Sequence, residues 1–156
     1  MADTATGTGG AVLTARAVRL GLRATDKWDA IRQSGDLLRE IGAVEDPYPA
    51  SMRERERSIS TYLGEGFAIP HGTDEARRHV LRTALGFLQF PDGVDWDGNR
   101  VDVCVAIAAD GDEHIHVLSA LAKILMDHEA AEKLRRAEDV DTVLALLTTH
   151  RKDPTA

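Results

Sequence analysis

The run Val101 to Ala109, VDVCVAIAA, constrains this chain more than any other segment. Val101, Val103, Val105 and Ile107 alternate with Asp102, Cys104, Ala106 and Ala108. Residues two apart on a strand share a face, and after Asp102 both sets are small or apolar. A strand of that kind is predicted to be buried on both faces, as a middle layer. Segments of helical period flank it. Trp28, Ile31, Leu37, Leu38 and Ile41 fall mainly on one face between Asp26, read as an N-cap, and Gly42, read as the stop. Asp110-Gly111-Asp112 breaks the strand and is predicted to cap a helix in which Ile115, Leu118, Ala122 and Leu125 recur at helical spacing. After Asp139, Val140, Val143, Leu144 and Leu147 follow i, i+3, i+4, i+7. Strands and helices mixed in this way predict an α/β layered domain.

Weaker signals fill the rest. Val18 and Leu20 read as a short edge strand. Pro47 and Pro49 open a charged helix over Ala50 to Arg57, and Asp74 to Val80 reads as a helical turn or two. Ile59 to Gly72 is strand and loop material. Thr83 to Phe90 is a strand ended by Pro91, Asp92 and Gly93, and Asp127 restarts a short helix over Glu129 to Ala137. The 156 residues suit one domain, drawn at 12–148 between mobile tails at 1–11 and 149–156.

Composition narrows the function classes. The chain is 43% apolar and 29% charged, which excludes a disordered chain or a fibrous repeat. No apolar run approaches a membrane span, and the first residues lack a secretory pattern. Cys104 is the single cysteine, so no internal disulfide forms, and the simplest location is cytoplasmic. A net charge of −7 disfavours nucleic acid and anionic lipid, and favours a partner with a basic docking face.

Two histidines stand in unusual surroundings. His71 lies between Pro70 and Gly72, after the apolar Phe67 to Ile69, where a stiff approach and a missing side chain would hold the ring and leave one side open. The residues alone equally allow a surface turn histidine. His114 follows Asp110-Gly111-Asp112-Glu113 in the first turn of a helix, where backbone N–H groups favour an anion. Met52 to Arg57 alternates charge, a pattern usual for solvated helix faces, although one arginine could turn inward. A shared metal on His114 and His116 is disfavoured, because residues two apart point to different faces of a helix. Gly64-Glu65-Gly66 lacks the third glycine and the helix of a dinucleotide site. Cys104 has apolar neighbours that suppress its thiolate.

The segment MRERERSISTYLGEGFAIPHGT, with DGDEHIHVL downstream, resembles the mannitol/fructose type of IIA domain of the bacterial phosphotransferase system over about residues 13–148. The YLGEG lead-in and the short connection from IAA to EH resemble the mannitol branch, whereas Asp95-Trp96-Asp97-Gly98 resembles the fructose branch. The resemblance implies a mixed β-sheet with helices on both faces. It implies that His71 is the phosphoryl acceptor, that His114 supports it, and that Arg55, between Glu54 and Glu56, answers the phosphoryl charge. It implies histidine-phosphorylated HPr as donor and a cysteine of a IIB domain as acceptor, with IIB and IIC on separate polypeptides, and neither cofactor nor metal. Two rival readings remain open at this point. One is a nitrogen-type regulatory phosphoprotein with the same His71 chemistry. The other is a small metal-dependent hydrolase using His71, His114 and His116.

Overall fold

The segment that reads as buried on both faces becomes the middle strand of a five-stranded sheet. A computed structural model describes residues 12–152. The strands are β1 (Val18–Arg19), β2 (Tyr62–Gly64), β3 (Phe67–Ala68), β4 (Ala84–Trp96) and β5 (Asn99–Ala108). The helices are α1 (Lys27–Glu40), α2 (Pro47–Ser58), α3 (Gly111–Met126), α4 (His128–Arg135) and α5 (Val140–Lys152). Strand order is β1-β4-β5-β3-β2. β1 and β3 run parallel to their inner neighbours, while β4–β5 and β2–β3 are antiparallel, so the sheet is mixed. Every residue of β5 from Val103 onward is buried.

Helices cover both faces, and β4 shows it. A Cβ on Gly86 would meet Leu37 of α1 at 2.8 Å, so that side of β4 lies against α1. Gln89, three residues on and on the opposite face, donates to the carbonyls of Arg135 and Ala137 at the end of α4. Caps bear out several sequence signals. Asp26 accepts from Asp29 N–H, Asp127 from Glu129 and Ala130, and Asp139 from Thr142. Gly42 follows α1 with φ +76, the left-handed stop that glycine adopts without strain.

Three readings need correction. The strand expected to end at Pro91 continues to Trp96. Its register with β5 shifts between Gln89 and Val94, and Pro91 sits inside this irregularity, where no ladder hydrogen bond is lost. The two strands then meet through Asp97-Gly98, both with positive φ, a two-residue turn whose twist matches the hairpin. Second, α3 buries His114, Val117, Leu121, Ile124 and Leu125; of the expected stripe Leu125 is buried, whereas Ile115 is 61% exposed. Two apolar stripes overlap on this helix, and the one that packs turns His114 inward. Third, Asp110 occupies the N-cap position of α3 but makes no side-chain cap hydrogen bond. The last helix continues to Lys152, beyond the boundary drawn at 148; residues 1–11 and 153–156 lie outside the described residues. Among the described residues no helix is long and apolar enough to cross a membrane.

A buried carboxylate ties the layers near α2. Glu56 accepts from Thr61 N–H (2.9 Å), Thr61 Oγ1 (2.6 Å), Trp96 Nε1 (3.0 Å) and Lys27 Nζ (3.2 Å). It thereby joins α1, α2, the β4–β5 hairpin tip and the approach to β2. Four donors offset the cost of burying its charge. Replacing Glu56 by Gln removes the charge and puts two amide donors against a set of donors. Urea denaturation should show a loss of about 2–3 kcal/mol; a change within about 0.5 kcal/mol would mean the network contributes little.

Candidate active site

His71 is placed by its backbone. The PHG turn follows β3, and Pro70 and His71 extend the pairing: Ile107 N–H donates to Pro70 O at 2.9 Å, and His71 bridges Ile107 in parallel register. The residue is 6% exposed, so the ring is held as expected but far less open than a glycine-rich turn suggests. Its Nδ1 lies 2.8 Å from the Ile69 carbonyl oxygen. A carbonyl only accepts, so Nδ1 carries the proton and Nε2 keeps its lone pair.

Gly72 is required by space. A Cβ there would meet Ser51 Oγ at 2.5 Å and the Tyr48 ring at 2.6 Å. The Tyr48 hydroxyl accepts from Gly72 N–H and donates to Ile107 O, both at 2.9 Å, clipping the turn to the end of β5. Burial pushes the Tyr48 phenol above its ordinary value, so it stays a donor. On α2, Tyr48, Ser51 and Arg55 lie at i, i+3 and i+7 and so share one face. Tyr48 and Ser51 touch the turn, and this face carries Arg55 toward the same place. Arg55 donates from Nη1 to Ile59 O at 2.7 Å. Arg57 stacks over Trp28 at 5.6 Å, and Arg53 stands 200° of helical rotation from Arg55 at 100° per residue.

From the other side α3 brings His114, 7% exposed, with its ring centroid 4.9 Å from that of His71 and the planes tilted by 57°. His71 and His114 therefore meet from two elements, and the Arg55 charge on a third acts on both rings. His116 does not join them: it is exposed, two residues round the helix. Among the described residues no group of three or more His, Cys, Asp or Glu side chains could hold a metal.

Comparison with known proteins matches this arrangement to one family. The family described as "Phosphoenolpyruvate-dependent sugar phosphotransferase system, EIIA 2" matches residues 11–150. This chain belongs to that family. Its function is phosphoryl relay within a sugar phosphotransferase system. It is 42% identical over 136 residues to the mannitol-specific phosphotransferase enzyme IIA component of Halalkalibacterium halodurans, covering 87% of this chain and 94% of that protein. It is 44% identical over 140 residues to the mannitol-specific EIICBA component of Pasteurella multocida, covering 87% of this chain but only 22% of that longer protein. Among solved structures, the Escherichia coli complex of enzyme IIAMTL with phosphorylated enzyme IIBMTL matches with a TM-score of 0.83 at 39% identity, covering 87% of this chain and 96% of that one.

The electrostatics suit an EIIA phosphoryl carrier. Burial, chiefly, drives the His71 imidazole from its ordinary 6.5 down to about 4; His114, Arg55 and Arg77 push the same way, against the Ile69 hydrogen bond. His114 is lowered too, first by burial and then by Arg77. Both rings are thus neutral at neutral pH. Sequence reasoning missed Tyr48 and Arg77. Tyr48 carries no motif, and Arg77 stands in Ala76-Arg77-Arg78-His79, where nothing distinguishes it from Arg78.

The lowered His71 value has a thermodynamic consequence. Between about pH 6.5 and 4 the unfolded chain binds a proton at this position that the folded chain does not. The stability that His71 contributes is therefore complete above 6.5 and lost as pH falls toward 4. An NMR titration of the His71 ring in the folded protein should show a midpoint near 4. A midpoint at 6 or above would contradict the buried, cation-flanked environment.

Proposed function

We propose that His71 takes a phosphoryl group from phospho-HPr on Nε2 and passes it to a IIB cysteine, for uptake and phosphorylation of mannitol in the cytoplasm. The observation that carries this reading is the His71 ring itself. One nitrogen is committed to Ile69 O, while the other is unprotonated at neutral pH and lies beside a second imidazole.

The chemistry follows from that ring. The Nε2 lone pair bonds phosphorus as the bond to the donor nitrogen breaks, and the electron pair of that bond returns to the donor. Transfer is loose and in line, with negative charge on the three outer oxygens. The Arg55 guanidinium answers that charge with a planar fork, and the His114 ring offers a further hydrogen bond. Transfer onward needs a thiolate sulfur as nucleophile in line with the P–N bond.

The surroundings of the site suit docking partners. Ile59, beside Arg55, and Ile115, beside His114, are exposed apolar side chains flanking the site. Asp74, Glu75, Asp110, Asp112 and Glu113 are exposed acids on the elements that carry the histidines, complementary to a donor with a basic rim. Mannitol as the sugar is supported by the mannitol-specific relatives at 42–44% identity. The Asp95 to Gly98 segment, which resembles the fructose branch, is a hairpin tip held by Glu56 and Lys27 and so has a structural role of its own.

Incubation with phosphoenolpyruvate, enzyme I and HPr should label wild-type chain once, at His71, through an acid-labile bond stable in mild alkali. Folded His71→Ala should take no label. Arg55→Ala and His114→Ala should slow labelling by about 10²–10³-fold each, the usual loss for one preorganised donor, whereas Arg53→Ala and Arg57→Ala change it little. Full labelling of His71→Ala, or an acid-stable adduct, would overturn the assignment. Supplying mannitol-type and fructose-type IIB in turn tests the sugar; faster transfer to the fructose type would overturn mannitol alone.

A further inference from the structure

We infer that Glu56 is a positioning residue for phosphoryl transfer: through Thr61 it fixes the Ile69 carbonyl that holds the proton on His71 Nδ1. This role rests on the assignment of His71 as acceptor and goes beyond the tie between layers that Glu56 also makes.

The two oxygens of Glu56 face different partners. Oε2 accepts from Trp96 Nε1 and Lys27 Nζ, which belong to the β4–β5 hairpin tip and to α1. Oε1 accepts from Thr61 alone, at the backbone N–H (2.9 Å) and at Oγ1 (2.6 Å). Hydrogen bonds to an ionised oxygen are the strong ones, and here two of them fall on a single residue. Glu56 is 3% exposed and Thr61 4%, so water does not compete for them. Thr61 directly precedes β2, the outermost strand, which has β3 as its single neighbour in the sheet. The carboxylate therefore anchors the start of an edge strand that the ladder holds from one side only.

From Thr61 the path runs to the acceptor ring through two further hydrogen bonds. Ile69 N–H donates to Thr61 O at 2.9 Å, and Ile69 O accepts from His71 Nδ1 at 2.8 Å. Ile69 lies just past the end of β3, between this anchor and the one that Ile107 N–H makes to Pro70 O. The same loop carries a second tie from α2. Arg55, the neighbour of Glu56, donates from Nη1 to Ile59 O, two residues before Thr61. Adjacent residues of α2 thus hold the two ends of Ile59 to Thr61.

Glu56 exchanges no proton and no electron pair in the transfer. The Nε2 lone pair bonds phosphorus as the donor's P–N bond breaks, and that electron pair returns to the donor nitrogen. The part of Glu56 is to keep Ile69 O where Nδ1–H can meet it. A ring that loses this partner is free to carry its proton on Nε2 instead, where no lone pair then remains for phosphorus.

The test combines the rate of labelling by phosphoenolpyruvate, enzyme I and HPr with the 15N spectrum of the unphosphorylated His71 ring, which tells the Nδ1–H form from the Nε2–H form. Thr61→Val removes one donor to Oε1 and keeps the side-chain shape. The Nε2–H form should appear, and labelling should slow by about 10-fold, up to about 10²-fold where the ring is displaced by an ångström. Thr61→Ser returns the hydroxyl and should restore both readouts. Glu56→Ala should change both more than Thr61→Val does; should it fail to fold, the Thr61 pair carries the test. Trp96→Phe cuts a hydrogen bond on the other oxygen. It should lower the urea midpoint yet leave tautomer and labelling rate as in wild type, which separates positioning from stability. A wild-type tautomer and rate in folded Thr61→Val would overturn the inference, as would an equal disturbance of both by Trp96→Phe. Absence of label at His71 in wild-type chain would instead overturn the assignment on which it rests.

Discussion

The 2.8 Å contact between His71 Nδ1 and the Ile69 carbonyl fixes the tautomer and the orientation of the His71 ring. It places the ring's proton on Nδ1 and thereby leaves the lone pair on Nε2. It also holds the ring plane relative to the sheet, because Ile69 follows β3 directly and its N–H donates to Thr61 O at 2.9 Å. Much of the surrounding structure keeps that contact in register. β3 is tied to β5, Ile107 N–H is tied to Pro70 O, and Tyr48 spans from Ile107 to Gly72. The absence of a Cβ on Gly72 leaves room for Tyr48 and Ser51 to come this close.

The site combines two requirements that oppose each other. A nucleophilic imidazole must be neutral, and burial together with nearby cations keeps it so. A phosphorylated imidazole would carry an anion, for which a nearby cation is the natural partner. Arg55 and Arg77 both disfavour a proton on His71. These cations lie within a chain whose net charge is −7, with Asp74, Glu75, Asp110, Asp112 and Glu113 exposed on neighbouring segments.

Much of this was legible in the residues, for identifiable reasons. The alternation in Val101 to Ala108 marked a doubly buried strand, and the aspartates at 26, 127 and 139 marked helix starts through chemistry confined to a single turn. Local signals failed where tertiary contacts decided between equal alternatives. Pro91 reads as a strand end, yet a bulge accommodates it. α3 offers two apolar stripes, and tertiary packing selects the one that contains His114. The PHG and EH motifs marked the histidines, and the ERE context marked Arg55, but Tyr48 and Arg77 reach the site only through the fold. The Gly64-Glu65-Gly66 segment, which begins a nucleotide-like pattern, is a hairpin turn between β2 and β3, with Glu65 and Gly66 both at positive φ.

The most direct measurement of the central claim is the identity of the phosphorylated ring nitrogen. NMR of 15N-labelled chain, phosphorylated through enzyme I and HPr, distinguishes the two nitrogens of His71 by their coupling to phosphorus. The Ile69 hydrogen bond predicts phosphorus on Nε2 with a proton retained on Nδ1. Phosphorus on Nδ1 would require that hydrogen bond to break and the ring to turn, and would contradict the account.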